Sequence, residues 1–275
     1  MLEHIARELR KDIMITAYRG GAGHLASAFS AVEIMTALYF GGILSYDREN
    51  PDWENRDKVI VSKGHASLVL YSVLKRIGYL TQEELATFCQ PGSVLGGEPK
   101  YGDIPGVEAT TGSLGHGLSF AAGIAMAHKL DNKTSRVYVL LGDGECQEGS
   151  VWEAALSAAH HQLDNLTVIL DRNQLQAMGD TEDILRLESL KEKWQGFGWV
   201  VTEADGHNIG ELVQALQKDR ALVKECPRIL IAKTVKGKGV SFMEQAPIWH
   251  YRMPNQEEME IVKQELGIIE KELGL

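Results

Sequence analysis

The feature that most constrains this fold is the alternation of short aliphatic segments with longer segments of helical periodicity. The aliphatic segments have the length and β-branched content of strands. They are apolar throughout rather than at alternate positions, as in strands buried on both faces of a sheet. We predict strands at residues 58–62, 136–141, 165–170, 198–203 and 228–232.

The segments around the strands predict helices, because their apolar residues recur at intervals of three and four. Ser30 is expected to cap the helix that follows it. The other helices are predicted at residues 2–18, 66–77, 150–162, 186–195, 209–223 and 256–275. The alternation indicates an α/β fold with a mainly parallel sheet covered by helices on both faces. We expect one domain over residues 1–275, with 256–275 as a helical tail.

Composition excludes several function classes. The formal net charge of −10 disfavours a nucleic-acid surface. No apolar run approaches the ~20 residues of a membrane helix, and Met1 is followed by charged residues rather than a signal peptide. Cys89, Cys146 and Cys226 are too few and too scattered for a disulfide framework or a zinc site. We therefore expect a cytoplasmic protein that binds neither nucleic acid nor membranes.

Polar residues follow the predicted strands at the points where ligands bind in parallel sheets. Gly-Asp-Gly at 142–144 follows one strand and Asp-Arg-Asn at 171–173 follows the next. Asp143 and Asn173 could meet at a Mg²⁺ ion, which prefers oxygen ligands and often shares them with phosphate groups. Gly-Asp-Gly alone is also typical of a tight turn, so the pairing of the two strand ends carries this interpretation. The long segment 78–112, which has little periodicity, is of a length typical of functional loops.

The spacing of 30 positions between Asp143 and Asn173 resembles the signature of thiamine-diphosphate enzymes. The surrounding segments resemble the transketolase family in the same order along the chain, from about His24 to His250. These segments are Ser-Lys-Gly-His-Ala at 62–66, Thr-Thr-Gly-Ser-Leu-Gly-His-Gly at 110–117, Gly-Asp-Gly-Glu-Cys-Gln-Glu-Gly at 142–149 and Lys-Thr-Val-Lys-Gly-Lys-Gly at 233–239. The resemblance implies a thiamine-diphosphate-binding domain of the transketolase type.

The resemblance also implies a cofactor site. Asp143 and Asn173 would bind Mg²⁺ through their side chains and Leu175 through its carbonyl oxygen. Gly144 would hold the diphosphate through its backbone, while Gly112 and Leu114 would lie at the aminopyrimidine end. The full set of implied cofactor-binding residues is His65, Gly112, Leu114, Gly144, Asn173 and His250.

Three histidines match the catalytic histidines of the family: His24, His65 and His250. An imidazole, whose ordinary pKa is about 6.5, suits proton transfer to and from substrate hydroxyl groups. His116 is given a supporting role near the substrate. Glu148 is expected at the interface between subunits, although it could equally be an ordinary residue in the first turn of a helix.

The chain departs from the family pattern at three positions on the substrate side. Glu98 stands where the family usually has a histidine, residues 25–28 replace paired glycines, and Tyr251 follows His250 where glycine is usual. The change at 98 replaces a possible hydrogen-bond donor with an anionic acceptor. We therefore expect a non-standard sugar or sugar phosphate as substrate.

A complete transketolase also has a pyrimidine-binding domain, and here only a helical tail follows the His250 segment. The chain thus resembles the N-terminal subunit of a split transketolase, which transfers a two-carbon ketol unit from a ketose to an aldose. The expected partner is a C-terminal, pyrimidine-binding subunit in an α2β2 assembly. Two alternatives are the α-like component of another thiamine-diphosphate complex and a non-catalytic subunit.

Overall fold

A five-stranded sheet forms the centre of the computed structural model, which describes residues 1–221 and 225–273. Every neighbouring pair of strands is parallel, and the order is β1-β2-β3-β5-β4. The strands are β1 (Lys58–Val61), β2 (Val137–Gly142), β3 (Leu166–Arg172), β4 (Val200–Asp205) and β5 (Arg228–Lys233). The five predicted strands and their parallel arrangement are therefore confirmed.

Helices flank the strands. They are α1 (Leu2–Gly20), α2 (Leu25–Phe29), α3 (Val32–Phe40), α4 (Ser67–Ile77), α5 (Gln82–Leu85), α6 (Gly117–Leu130), α7 (Gly149–His160), α8 (Thr181–Ile184), α9 (Leu190–Gly196), α10 (Ile209–Ala221), α11 (Gln256–Leu266) and α12 (Glu270–Leu273). Short 3₁₀ turns lie at Gly64–Ala66, Gly144–Gln147 and Pro247–Tyr251. No helix in the described part of the chain is long and apolar enough to cross a membrane.

Successive residues of the central strands pack into two separate cores, one on each face of the sheet. Tyr138 and Leu140 of β2 join the core formed with α1, α3 and α4, whereas Val139 and Leu141 join the core formed with α6, α7 and α9. Side chains alternate between the faces of a strand, so a strand that is apolar throughout requires apolar cover on both sides. This confirms the predicted layer arrangement.

The predicted cap of α3 was wrong. That helix begins after Ala31 without a side-chain cap. The hydroxyl of Ser30 instead donates to Oδ2 of Asp171 at 2.6 Å and to the carbonyl of Ser27 at 3.1 Å. A buried carboxylate is a stronger acceptor than a neutral group. The hydroxyl of Ser30 therefore bonds to Asp171 in the protein interior and does not cap the helix.

Several helix boundaries differ from the prediction, and α9, for example, begins at Leu190 rather than at residue 186. The terminal segment is two helices, because Gly267 adopts a left-handed conformation (φ 69°) and ends α11. The predicted end of this segment, residues 274–275, lies outside the described residues, as do residues 222–223 at the predicted end of α10. In the loop at 78–112 the only helix among the described residues is α5. Thr81 and Glu84 form a reciprocal capping box at the start of this helix.

Candidate active site

The register of the sheet brings the predicted cofactor residues to one edge. Gly142, the last residue of β2, pairs with Asp171 of β3, so Asp143 and Asn173 leave adjacent strands within one residue of the same level. A cavity of about 310 Å³ opens at this edge. All of the predicted metal and cofactor residues line it: His65, Gly112, Leu114, Asp143, Gly144, Asn173, Leu175 and His250.

Hydrogen bonds hold the oxygen atoms of the strand ends in place. Oδ1 of Asp143 accepts from the amide of Gly144 at 2.7 Å, and Oδ2 accepts from the amide of Gln174 at 2.6 Å and from Arg172 at 3.0 Å. Oδ1 of Asn173 accepts from the amide of Leu175 at 3.1 Å. Burial and then the neighbouring Asp171 raise the pKa of Asp143, so a nearby cation would stabilise its ionised form.

A buried ion pair lies beneath the cavity. Lys63, which precedes the turn at Gly64–Ala66, pairs with Asp171 of β3, whose side chain is fully buried. Burial alone would raise the pKa of Asp171, but the charge of Lys63 and hydrogen bonds from Lys63 and two hydroxyl groups lower it overall. The sequence analysis assigned neither residue a role. The sequence does contain a signal for this ion pair, because residues of opposite charge lie at the ends of two apolar strands.

Lys236 was also missed. It is 2% exposed, and its Nζ donates to the carbonyl oxygen of Leu175 at 3.0 Å and to Nδ1 of His250 at 3.0 Å. Burial and then the charge of Lys63 lower the pKa of Lys236 to about 8. The side-chain nitrogen of Lys236 therefore lies against the carbonyl group expected to bind the metal.

The three predicted catalytic histidines lie together on the cavity wall. The centroids of the His24 and His65 rings are 5.1 Å apart, and those of His24 and His250 are 5.2 Å apart. Burial, followed by the charge of Lys236, lowers the pKa of His24 and of His250 to about 4. Burial and then Lys63 lower the pKa of His65 well below its usual value. All three imidazoles are consequently neutral at neutral pH and able to accept protons.

Two of the three departures from the family pattern, Glu98 and Tyr251, lie around the mouth of this cavity, whereas residues 25–28 belong to α2 and are buried. Glu98 and His24 line both the main cavity and a second, outer cavity of about 360 Å³, and Tyr251 lines the outer one. The ring of Tyr251 lies 4.6 Å from that of His24. A Cβ atom at Gly112 (φ 137°) would collide with the carboxylate of Glu98, so glycine is what lets this carboxylate approach the loop.

Two predicted residues lie outside the cavity lining. His116 is exposed, and its Nδ1 contacts the carbonyl of Leu114 at 3.1 Å. Glu148 precedes α7 and packs against Gly115. Glu145, unlike Glu148, lines the cavity, and its carboxylate accepts from the amides of Gly115 at 2.9 Å and Gly142 at 3.1 Å and so joins two loops.

Fold and site together define a class of protein. A parallel α/β sheet presents one carboxylate and one amide side chain at adjacent strand ends, beside buried lysines and neutral histidines. This arrangement suits an anionic, phosphate-bearing cofactor in contact with a site for proton transfer.

Comparison with known proteins identifies the family. Residues 3–273 match the family described as the transketolase, thiamine diphosphate binding domain. One subunit of the apulose-4-phosphate transketolase of Phocaeicola vulgatus is 40% identical over 97% of this chain and 94% of that relative. A 6-deoxy-6-sulfo-D-fructose transketolase subunit of Clostridium sp. is 41% identical over 88% of each. The chain belongs to the transketolase family, as its thiamine-diphosphate-binding part, which confirms the resemblance seen in the motifs.

Solved structures agree on the fold. The transketolase of Campylobacter jejuni superposes with a TM-score of 0.91 and 32% sequence identity over 97% of this chain. That of Leishmania mexicana superposes with a TM-score of 0.90 and 28% identity. The chain spans 43% of the length of each of these proteins.

Proposed function

We propose that this chain is the N-terminal subunit of a split transketolase, which transfers a two-carbon ketol unit from a ketose donor to an aldose acceptor. The observation that carries the proposal is the single cavity in which the two strand ends with Asp143 and Asn173 face three neutral histidines. Two relatives that match most of their length to this chain are named as transketolase subunits. The reaction then needs a second subunit to complete the site.

The residues at the strand ends fit Mg²⁺ and a diphosphate. The donor set is one carboxylate (Asp143), one amide (Asn173) and one carbonyl (Leu175), all oxygen ligands of the kind that Mg²⁺ prefers. Nowhere in residues 1–221 and 225–273 do three or more His, Cys, Asp or Glu side chains form a metal-binding cluster. The remaining ligands would therefore come from the diphosphate, with the backbone of Gly144 beside it and Gly112 and Leu114 towards the pyrimidine.

The chain's own groups would bind the substrate and move its protons. When bound, thiamine diphosphate supplies the carbon nucleophile and stabilises the electrons of the broken carbon–carbon bond. His24, His65 and His250, all neutral, would accept and return protons of the substrate hydroxyl groups. Lys236, which bonds to His250, keeps Nδ1 of that ring unprotonated because an ammonium group has only donors to offer.

The substrate is proposed to be a non-standard sugar or sugar phosphate. The relatives are named for apulose 4-phosphate and for 6-deoxy-6-sulfo-D-fructose. Glu98 and Tyr251 lie where the outer cavity would meet the substrate. Glu148, outside the cavity lining, would act at the contact with a pyrimidine-binding partner in an α2β2 assembly. His116 would keep a supporting role near the substrate. We place the assembly in the cytoplasm.

An assay of the purified chain with and without its pyrimidine-binding partner tests the proposal. We expect ketol transfer only when both polypeptides, thiamine diphosphate and Mg²⁺ are present, and loss of activity when a chelator removes the metal. Turnover by the chain without a second polypeptide would contradict the proposed division of the enzyme into two polypeptides. Full activity with ordinary pentose phosphates would contradict the proposed substrate class.

A further inference from the structure

One polar group in the main cavity has no role in the site described so far. Gln176 follows Leu175 and lines the cavity, and its Nε2 atom is buried. Among the residues that the structure describes, this atom has no hydrogen-bond partner. A buried donor without an acceptor destabilises a protein, so native structures rarely retain one that nothing binds.

The backbone around Gln176 is held firmly. Its amide donates to the carbonyl of Gly179 at 2.8 Å, and Leu175 forms an antiparallel bridge with Asp180. The side chain therefore extends from an ordered turn directly beside the expected metal ligand at Leu175. The ordered turn thus fixes the position in which the side-chain Nε2 atom of Gln176 lacks a partner.

The side chain of Gln176 lies across Gly144, the residue whose backbone is expected to hold the diphosphate. A Cβ atom at 144 would lie 2.9 Å from Cγ, 3.1 Å from Cδ and 3.4 Å from Nε2 of Gln176. Only a glycine allows this approach without displacing the glutamine. The unpartnered donor and the expected anion site thus share one small region of the cavity.

We propose that Nε2 of Gln176 donates a hydrogen bond to a phosphoryl oxygen of the cofactor diphosphate, which supplies the missing acceptor. The inference rests on the proposed function and adds a side-chain ligand to it. The buried ammonium groups of Lys63 and Lys236 in the same cavity make it attractive to an anion. An amide N–H donor suits such an oxygen and cannot bind a metal ion.

Two variants of the full chain test the proposal. Gln176→Met keeps a similar shape without the donor, and Gln176→Glu keeps the shape but places a negative charge beside the diphosphate. We expect Gln176→Met to weaken the binding of Mg²⁺–thiamine diphosphate and of Mg²⁺–pyrophosphate by about tenfold, and Gln176→Glu to weaken it further. Isothermal titration calorimetry measures both affinities, and thermal unfolding measures stability without ligand.

The loss of diphosphate affinity in Gln176→Met should not be accompanied by a loss of thermal stability. Without ligand, Gln176→Met should unfold at or above the wild-type temperature, because it removes an unpartnered buried donor. Gln147→Met is the matched control, since Nε2 of Gln147 already donates to the carbonyl of Leu185 at 2.8 Å; its diphosphate affinity should equal that of the wild type. Wild-type affinity in both Gln176 variants would overturn the inference. Absence of binding by the wild-type chain would instead contradict the proposed function.

Discussion

The cavity has two parts that are built differently. The floor comprises Lys63, Asp143, Asp171, Asn173 and Leu175, all 5% exposed or less and joined by an ion pair and hydrogen bonds. The rim comprises His24, Glu98, His250 and Tyr251, which are half-buried or exposed. Ring contacts hold the three aromatic side chains, and His250 also accepts a hydrogen bond from Lys236. In the floor, therefore, a change in one residue leaves a buried charge or polar group unpaired, whereas the rim can change at little cost.

Two of the three departures from the family pattern fall in the rim, whereas the third, at residues 25–28, is buried in α2. The positions expected to bind Mg²⁺ and the diphosphate carry the family's residue types, and they lie in the floor. Glu98 and Tyr251 carry different types, and they lie in the rim. A protein can thus keep one cofactor chemistry and take a new substrate, because the two requirements fall on parts of the site with different tolerance to substitution.

The largest effect is expected in the floor, from Lys63→Met. This variant leaves the fully buried Asp171 without its ion-pair partner, which costs about 3–5 kcal/mol of unfolding free energy. Urea denaturation followed by circular dichroism measures the loss. The double variant Lys63→Met/Asp171→Asn removes the unpaired charge and should recover part of it. A loss of less than about 1 kcal/mol in the single variant would mean that the floor tolerates change as readily as the rim.

Asp143→Asn should separate cofactor binding from folding. The amide keeps the size of the side chain but removes the negative charge that faces Mg²⁺, so the affinity for Mg²⁺–thiamine diphosphate should fall about a hundredfold. Calorimetric titration measures the affinity, with Glu153→Gln, an exposed change on α7, as the control. Unchanged affinity in Asp143→Asn would contradict the assignment of Asp143 as a metal ligand.

The histidines of the rim make stability depend on pH. The pKa of His24 is lowered from 6.5 to about 4 in the folded protein. Between these values the unfolded chain binds more protons, so the free energy of unfolding must fall as the pH falls through this interval. His24→Asn lacks this proton and should lose less stability on acidification than the wild type. Urea denaturation across the interval measures the difference, and parallel curves for the two proteins would contradict the lowered pKa.

The smallest effect on stability is expected from Glu98→His. The residue is exposed, so the free energy of unfolding should change by less than about 0.5 kcal/mol. In the assembled enzyme the imidazole should improve kcat/KM for ordinary ketose phosphates by about tenfold. Glu98→Gln, which removes the charge without supplying an imidazole, separates the two contributions. If both variants keep the wild-type ratio of activities on ordinary and non-standard sugars, Glu98 does not determine the choice of substrate.

Much of the floor could be predicted from the order of residues along the chain. Asp143 and Asn173 each follow an apolar strand, and the carboxyl ends of parallel strands meet at one edge, so their proximity follows from the strand pattern. Ser30 shows the opposite case. Its hydroxyl bonds to Asp171, which is 141 positions away, and no local pattern distinguishes that partner from a helix cap.

The sequence by itself determined the fold class, the family and the edge of the sheet where the cofactor is expected, since these depend on periodicity and on motifs a few residues long. Only the tertiary structure decided which charges are buried together. Lys236 lies 61 positions from Leu175, yet its Nζ contacts the carbonyl oxygen expected to bind the metal. Burial, followed by the charge of Lys236, lowers the pKa of His24 and of His250. Burial and the distances between charges set such pKa values, and both exist only once the chain has folded.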